Sequence, residues 1–137
     1  MGKALNYLGI ARMSGNIELG EENAKALVKA GKARLLFVAS DTSEAAKRRA
    51  EGYVFGRSAP LVEVPFTKQE ISEITGKPGC SMAAIRDMGL AKSFADSLAE
   101  EYGGAFVPLA AELDAKLKKA KARKSAGRKS GNRRKSE

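Results

Sequence analysis

The chain has 137 residues, with 25 Lys and Arg against 16 Asp and Glu, a single cysteine and no histidine or tryptophan. That length fits one compact domain with residues to spare, and a hydrophobic fraction of 43% is enough for a core. The missing histidines exclude a His-containing catalytic dyad or triad and a His metal site, and Cys80 alone makes neither an intrachain disulfide nor a Cys-rich zinc cluster.

The net charge of +9 points to a polyanionic partner, and it is unevenly placed. Met1 to Asp114 carry 14 basic and 15 acidic side chains, a net of −1, whereas Ala115 to Glu137 carry 11 basic and one acidic, a net of +10.

The elements follow in chain order. Ala4, Leu5, Leu8 and Ala11 have helical spacing, closed by Ser14-Gly15-Asn16. Ile17-Glu18-Leu19 reads as a short strand. Gly20 opens a helix to Ala30, with Ala24, Leu27 and Val28 on one face and Glu21 and Glu22 at the positive end of its dipole. Gly31 closes it. Leu35-Leu36-Phe37-Val38-Ala39 is an unbroken apolar run, which predicts a strand covered on both faces by helices. Asp41-Thr42-Ser43-Glu44 predicts a capped helix to about Glu51, with Gly52, Gly56 and Pro60 as breaks.

Leu61-Val62-Glu63-Val64 is the next strand, stopped by Pro65. Thr67-Lys68-Gln69-Glu70 has capping-box spacing ahead of a helix that buries Ile71 and Ile74. Gly76-Lys77-Pro78-Gly79 is a sharp loop, Ser81-Met82-Ala83-Ala84-Ile85 a buried strand, and Met88 to Tyr102 a helix with Leu90, Phe94 and Leu98 at four-residue steps. The order α-β-α-β-α-β-α-β-α predicts a three-layer α/β/α sandwich; strand order and direction are not readable from it.

Leu109, Leu113 and Leu117 then predict an amphipathic extension over 107–119, and the Lys-, Arg-, Ser- and Gly-rich 120–137 reads as a basic tail, disordered in isolation. The expected organisation is therefore a domain over 1–106, the helical extension, and the tail. The tail residues expected to meet phosphates are Lys121, Arg123, Lys124, Arg128, Lys129, Arg133, Arg134 and Lys135. Membrane binding is not expected, because the tail lacks aromatic or leucine anchors after Leu117.

No enzyme signature emerges. Neither Gly31-Lys32 nor Gly76-Lys77 ends a Walker A spacing, and no GxGxxG follows a strand. The adjacent pairs Glu21-Glu22 and Glu100-Glu101 diverge by about 100° around a helix and face no common site. Cys80 lacks a histidine to activate it. The expectation is a cytoplasmic non-enzyme with no cofactor, metal or small-molecule substrate.

The stretch Leu19 to Asp41 reads as strand, glycine, helix, glycine, basic residues and buried strand. Free N–H groups in the first turn after Gly20 can meet a phosphate or a base edge, and Asn23 offers both a donor and an acceptor. Together with Leu8-Gly9-Ile10-Ala11-Arg12 and Ala83 to Lys92, this stretch resembles the L-seven-Ae/L-thirty-e ribosomal protein family of kink-turn RNA binders, over roughly Leu5 to Tyr102, and most closely its small bacterial ribosomal-protein-like members. The resemblance implies a mixed four-stranded sheet in the α/β/α sandwich.

It also implies RNA recognition through Gly20, Glu21, Glu22, Asn23, Lys25, Ala26 and Lys29, with the loop Lys77, Pro78, Gly79 and Cys80 as a second contact. The family motif runs Gly, any, Asn, Glu, Ala/Val, Thr, Lys. Here the polar pair is reversed as Glu22 and Asn23, Ala26 stands at the lysine position, and Lys25 lies one place earlier. The implied partners are ribosomal or other structured RNA and, on the ribosome, ribosomal proteins. The alternative is a protein-interaction adaptor of the same superfamily.

Overall fold

The computed structural model describes residues 2–136, with side chains described for 2–123. Ten elements run α1 (Lys3–Met13), β1 (Ile17–Leu19), α2 (Glu21–Lys29), β2 (Leu35–Val38), α3 (Glu44–Val54), β3 (Leu61–Glu63), α4 (Lys68–Thr75), β4 (Met82–Ile85), α5 (Met88–Tyr102) and α6 (Phe106–Ser136). The four strands form one mixed sheet in the order β1-β4-β2-β3. β4 pairs antiparallel with both β1 and β2, and β2 pairs parallel with β3.

The unbroken apolar run of β2 is buried on both faces, as expected. Side chains alternate across a strand. Leu35 and Phe37, with Ala83 and Ile85 of β4, join a core shared with α1, α4, α5 and the first turns of α6. Leu36 and Val38, with Met82 and Ala84, face a smaller core under α2 and α3. The result is the predicted α/β/α sandwich. β4 puts one large and one small side chain on each face, Met82 with Ala84 and Ile85 with Ala83, so this central strand carries helices on both faces.

Local signals hold at several element ends. Thr67 and Glu70 form both arms of the capping box on α4, and α5 begins and ends where its leucine and phenylalanine spacing places it. Two expectations change. Gly52 lies inside α3, which runs on to Val54, because its neighbours Ala50, Tyr53 and Val54 pack on the core under that helix. The cap of α3 is Ser43, whose hydroxyl accepts from the Ala46 N–H. Asp41 instead accepts from the Lys68 N–H at 2.9 Å, serving the start of α4.

α6 runs from Phe106–Ser136 without a break at the expected boundary between 119 and 120. Ala, Lys and Arg are strong helix formers, and no proline follows Pro108. Leu109 and Leu113 are buried in the same core as α5, so the first turns of α6 complete the sandwich. Among the described residues, no helix is long and apolar enough to cross a membrane.

Candidate nucleic-acid interface

Gly20 and the 76–81 loop, two of the segments expected to touch RNA, meet at one end of the sheet. Gly20 sits at the junction of β1 and α2 with φ 94° and ψ 155°. That region is essentially restricted to glycine. Its N–H donates to the Met82 carbonyl at 2.9 Å and its carbonyl accepts from the Ala24 N–H at 2.9 Å, which fixes the start of α2 against the start of β4. Among the described residues, no side chain caps α2, and the first-turn N–H groups of Glu21, Glu22 and Asn23 have no side-chain acceptor.

The 76–81 loop lies beside this helix start. Gly76 closes α4 in the left-handed conformation, and its N–H donates to the Ser72 carbonyl at 2.7 Å. The following Lys77 crosses over Gly20: its Cε would lie 3.8 Å from a Cβ placed there. Pro78 and Gly79 are exposed beside it. Ser81 ties the loop to the end of β2, its carbonyl accepting from the Ala39 N–H at 2.9 Å and the Thr42 hydroxyl at 3.2 Å.

Not every expected contact faces this end. Asn23 is exposed, and its Nδ2 donates to the Leu19 carbonyl at 3.0 Å, holding the first turn of α2 against β1. Glu22 and Ala26 are exposed. Glu21 turns to α3: its carboxylate accepts from Arg49 at 2.6 and 2.9 Å and from the Tyr53 hydroxyl at 2.5 Å. The hydrogen bonds from Arg49 and then Tyr53 hold its pKa down to about 2. The same contact with Glu21 pushes the Tyr53 phenol above its ordinary value.

Lys25 joins that seam, with its Nζ 5.6 Å from the Tyr53 ring centroid. Lys29 lies in the last turn of α2, about 13 Å along the axis from Gly20, where Arg57 donates to the Val28 and Lys29 carbonyls. Cys80 is 1% exposed. Its thiol donates to the Met82 carbonyl at 3.5 Å, and burial raises its pKa. Of the tail residues, Lys121 and Arg123 are exposed on α6. The side chains of Lys124, Arg128, Lys129, Arg133, Arg134 and Lys135 lie outside the described residues.

Sequence reasoning missed Arg49 and Tyr53. They stand four residues apart on α3, a spacing that puts both on one helix face and was readable as such.

A chain with this arrangement has a recognisable relative. RNA-binding protein YlxQ of Enterococcus faecium is 36% identical over 90 residues, covering 66% of this chain and 85% of that protein. The chain belongs to the YlxQ family. This is the L-seven-Ae/L-thirty-e grouping to which the sequence motifs point. No family model matches the chain.

Solved structures agree on the fold. A protein with unknown function from Bacillus halodurans C has a TM-score of 0.66 at 22% identity, over 72% of this chain and 98% of that one. The Giardia lamblia 15.5kD RNA binding protein has a TM-score of 0.57 at 19% identity, over 70% and 82% respectively. Within this YlxQ-family chain, Gly20 stands immediately before α2, and Glu22 and Asn23 are both exposed on its first turn.

Proposed function

We propose that this protein binds structured RNA, in the translation machinery or on the ribosome, by seating a kink-turn-like bend against the first turn of α2 and the 76–81 loop. The observation that carries the reading is the approach of Lys77 to Gly20. It places a cation beside uncapped helix N–H groups, the combination that favours a phosphate or an electron-rich base edge. A relative named as an RNA-binding protein, covered over most of its length, supports the same reading.

The roles divide by chemistry. Lys77 meets a phosphate. Asn23 keeps an acceptor and a second amide hydrogen for a base edge after its bond to Leu19. Glu22 accepts from base amino groups, a different role from that of the amide at this place in the family motif. Pro78 and Gly79 present backbone and ring surface to the bend. Glu21, Lys25 and Cys80 set the helix and the loop in position. The cations of 115–137 add phosphate contacts without sequence preference.

The test is a calorimetric titration of a kink-turn RNA against a straight duplex of equal length. The bent RNA is expected to bind at least about tenfold more tightly, a modest fraction of the usual specific-to-nonspecific ratio. Equal affinities would remove the bend and leave general RNA binding. The exposed carboxylate of Glu22 favours a second reading, a protein-interaction adaptor, and this one predicts that a body lacking 115–137 binds no RNA above background at moderate salt.

A further inference from the structure

A second cationic feature lies at the far end of the sheet. β4 begins after Ser81, beside Gly20, and ends before Arg86. Five residue steps of strand put these two positions about 17 Å apart. At the Arg86 end, a groove of about 520 Å³ is lined by Arg34, Ser58, Arg86, Asp87, Met88 and, from α6, Lys116, Lys119, Ala120 and Arg123. Five of these nine side chains are cationic and one is acidic.

The groove is held by backbone on one wall and by a helix on the other. The Arg34 N–H donates to the Ile85 carbonyl at 2.7 Å and the Arg86 N–H to the Asn16 carbonyl at 2.9 Å, so the sheet itself sets the two arginines beside each other. Lys116, Lys119 and Arg123 recur at three and four residues, which is one stripe of a helix. Lys116 closes one end, donating to the Ser58 carbonyl and pairing with Glu112 at 2.7 Å. Arg86 pairs loosely with Glu18 at 3.7 Å. Asp87 is occupied as the cap of α5, accepting from the Leu90 N–H at 2.8 Å. Among the described residues, no acid lies within ion-pair distance of Arg34, Lys119 or Arg123.

We infer that this groove is a second RNA contact, taking the phosphate backbone of a helical arm that leaves the bend seated at α2. Converging unpaired cations in an open groove suit a chain of phosphates better than one compact anion. The α6 stripe is the first part of 115–137, the segment that carries the positive excess, so the groove leads the backbone from the domain towards the remaining cations of that segment. The fork of each arginine suits phosphate oxygens. The inference rests on the proposed RNA-binding function and places its electrostatic part on the folded domain.

The test uses the full chain and two RNAs: a bend with both helical arms, and the same bend trimmed of the longer arm. The variant R34Q/K119Q/R123Q keeps every residue of 124–137 and touches no buried side chain. It is expected to lose about 10- to 100-fold in affinity for the long RNA at 0.15 M salt, with the salt slope reduced by two to three, as for about three lost phosphate contacts. The trimmed RNA is expected to bind both proteins equally. Hydrogen exchange of the unaltered chain with long RNA is expected to protect 33–35 and 86–90.

Equal binding of the long RNA by variant and parent, or protection confined to 20–26 and 76–81, would overturn the groove and leave the α2 site standing. An acidic protein partner for the groove is one form of that outcome. If K77A and N23A leave binding unchanged while the groove variant still weakens it, the α2 reading fails and the groove survives. If the parent binds neither RNA, both fail.

Discussion

The two ends of the central strand β4 are built on different principles. At its start, the candidate site is mostly backbone: a glycine at φ 94°, uncapped helix N–H groups, one amide side chain and one lysine. At its end, the groove is mostly charge, five cations gathered from the sheet and α6. Fixed backbone geometry distinguishes ligand shapes, because its groups do not rearrange to suit a wrong one. Flexible cations add affinity that falls with salt and carries little shape information. On the proposed function, a single small domain separates what it recognises from how strongly it holds a polyanion.

Cutting the chain after Asp114 is the strongest challenge to that division. It removes 11 cations, including three of the groove, and no described side chain that is fully buried. Affinity measured between 50 and 200 mM salt is expected to lose most of its salt dependence, a term of about 10³–10⁵ for 6–10 phosphate contacts. The preference for bent over straight RNA should persist. An unchanged slope would place the electrostatic anchor elsewhere.

Leu113 tests whether the two ends are mechanically linked. It is fully buried in the core between α6 and the rest of that layer. Leu113→Ala is expected to destabilise the fold by about 2–5 kcal/mol, read from the denaturation midpoint. Below its melting temperature the variant should lose long-RNA affinity more than bend preference, since α6 then sits less firmly on the groove.

Gly20→Ala probes the opposite end. Space is not the obstacle, since the nearest atom to the added carbon is the flexible Lys77 chain at 3.8 Å. The backbone conformation is, and the cost is about 1–3 kcal/mol. Selectivity for the bend is expected to fall while the salt slope stays as in the parent.

The smallest expected effect is a pH term at the α2–α3 seam. Glu21 is held at about 2 in the fold against an ordinary value of 4.5. A depressed carboxylate stabilises the folded state above its unfolded pKa, and that contribution disappears as pH falls from about 4.5 towards 2. Acid titration of Glu21→Gln should therefore show a shallower loss of stability across that window. RNA selectivity at neutral pH should change little, because Glu21 faces Arg49 and Tyr53 rather than the ligand.

The residues differ in how openly they declared these roles. Leu90, Phe94 and Leu98 located α5, and Thr67 with Glu70 marked the start of α4, because helix periodicity and capping are local. The unbroken run of β2 announced a strand covered on both faces. Gly52 misled, since burial of Ala50 against the sheet outweighs the weak helix propensity of one glycine. Asp41 looked like a cap for its own helix and serves the next one, a contact spanning 27 residues that no local pattern encodes.

The site divides the same way. That Gly20 and Asn23 stand at a helix start and Lys77 in a glycine-flanked loop was legible in the sequence. That Lys77 lies over Gly20 follows only from β4 pairing with β1. The groove was not legible at all: Arg34 and Arg86 stand 52 positions apart and meet because Leu35 registers with Ile85.

By itself, the sequence determined the element types, the sandwich, the family and the concentration of positive charge after residue 114. These rest on periodicity, composition and short motifs, all properties of neighbouring residues. Only the tertiary structure decided the strand order, the diversion of Glu21 and Lys25 to α3, and the gathering of cations at two ends of one strand. Those depend on which distant segments the sheet register and the packing of α6 bring within a few ångströms.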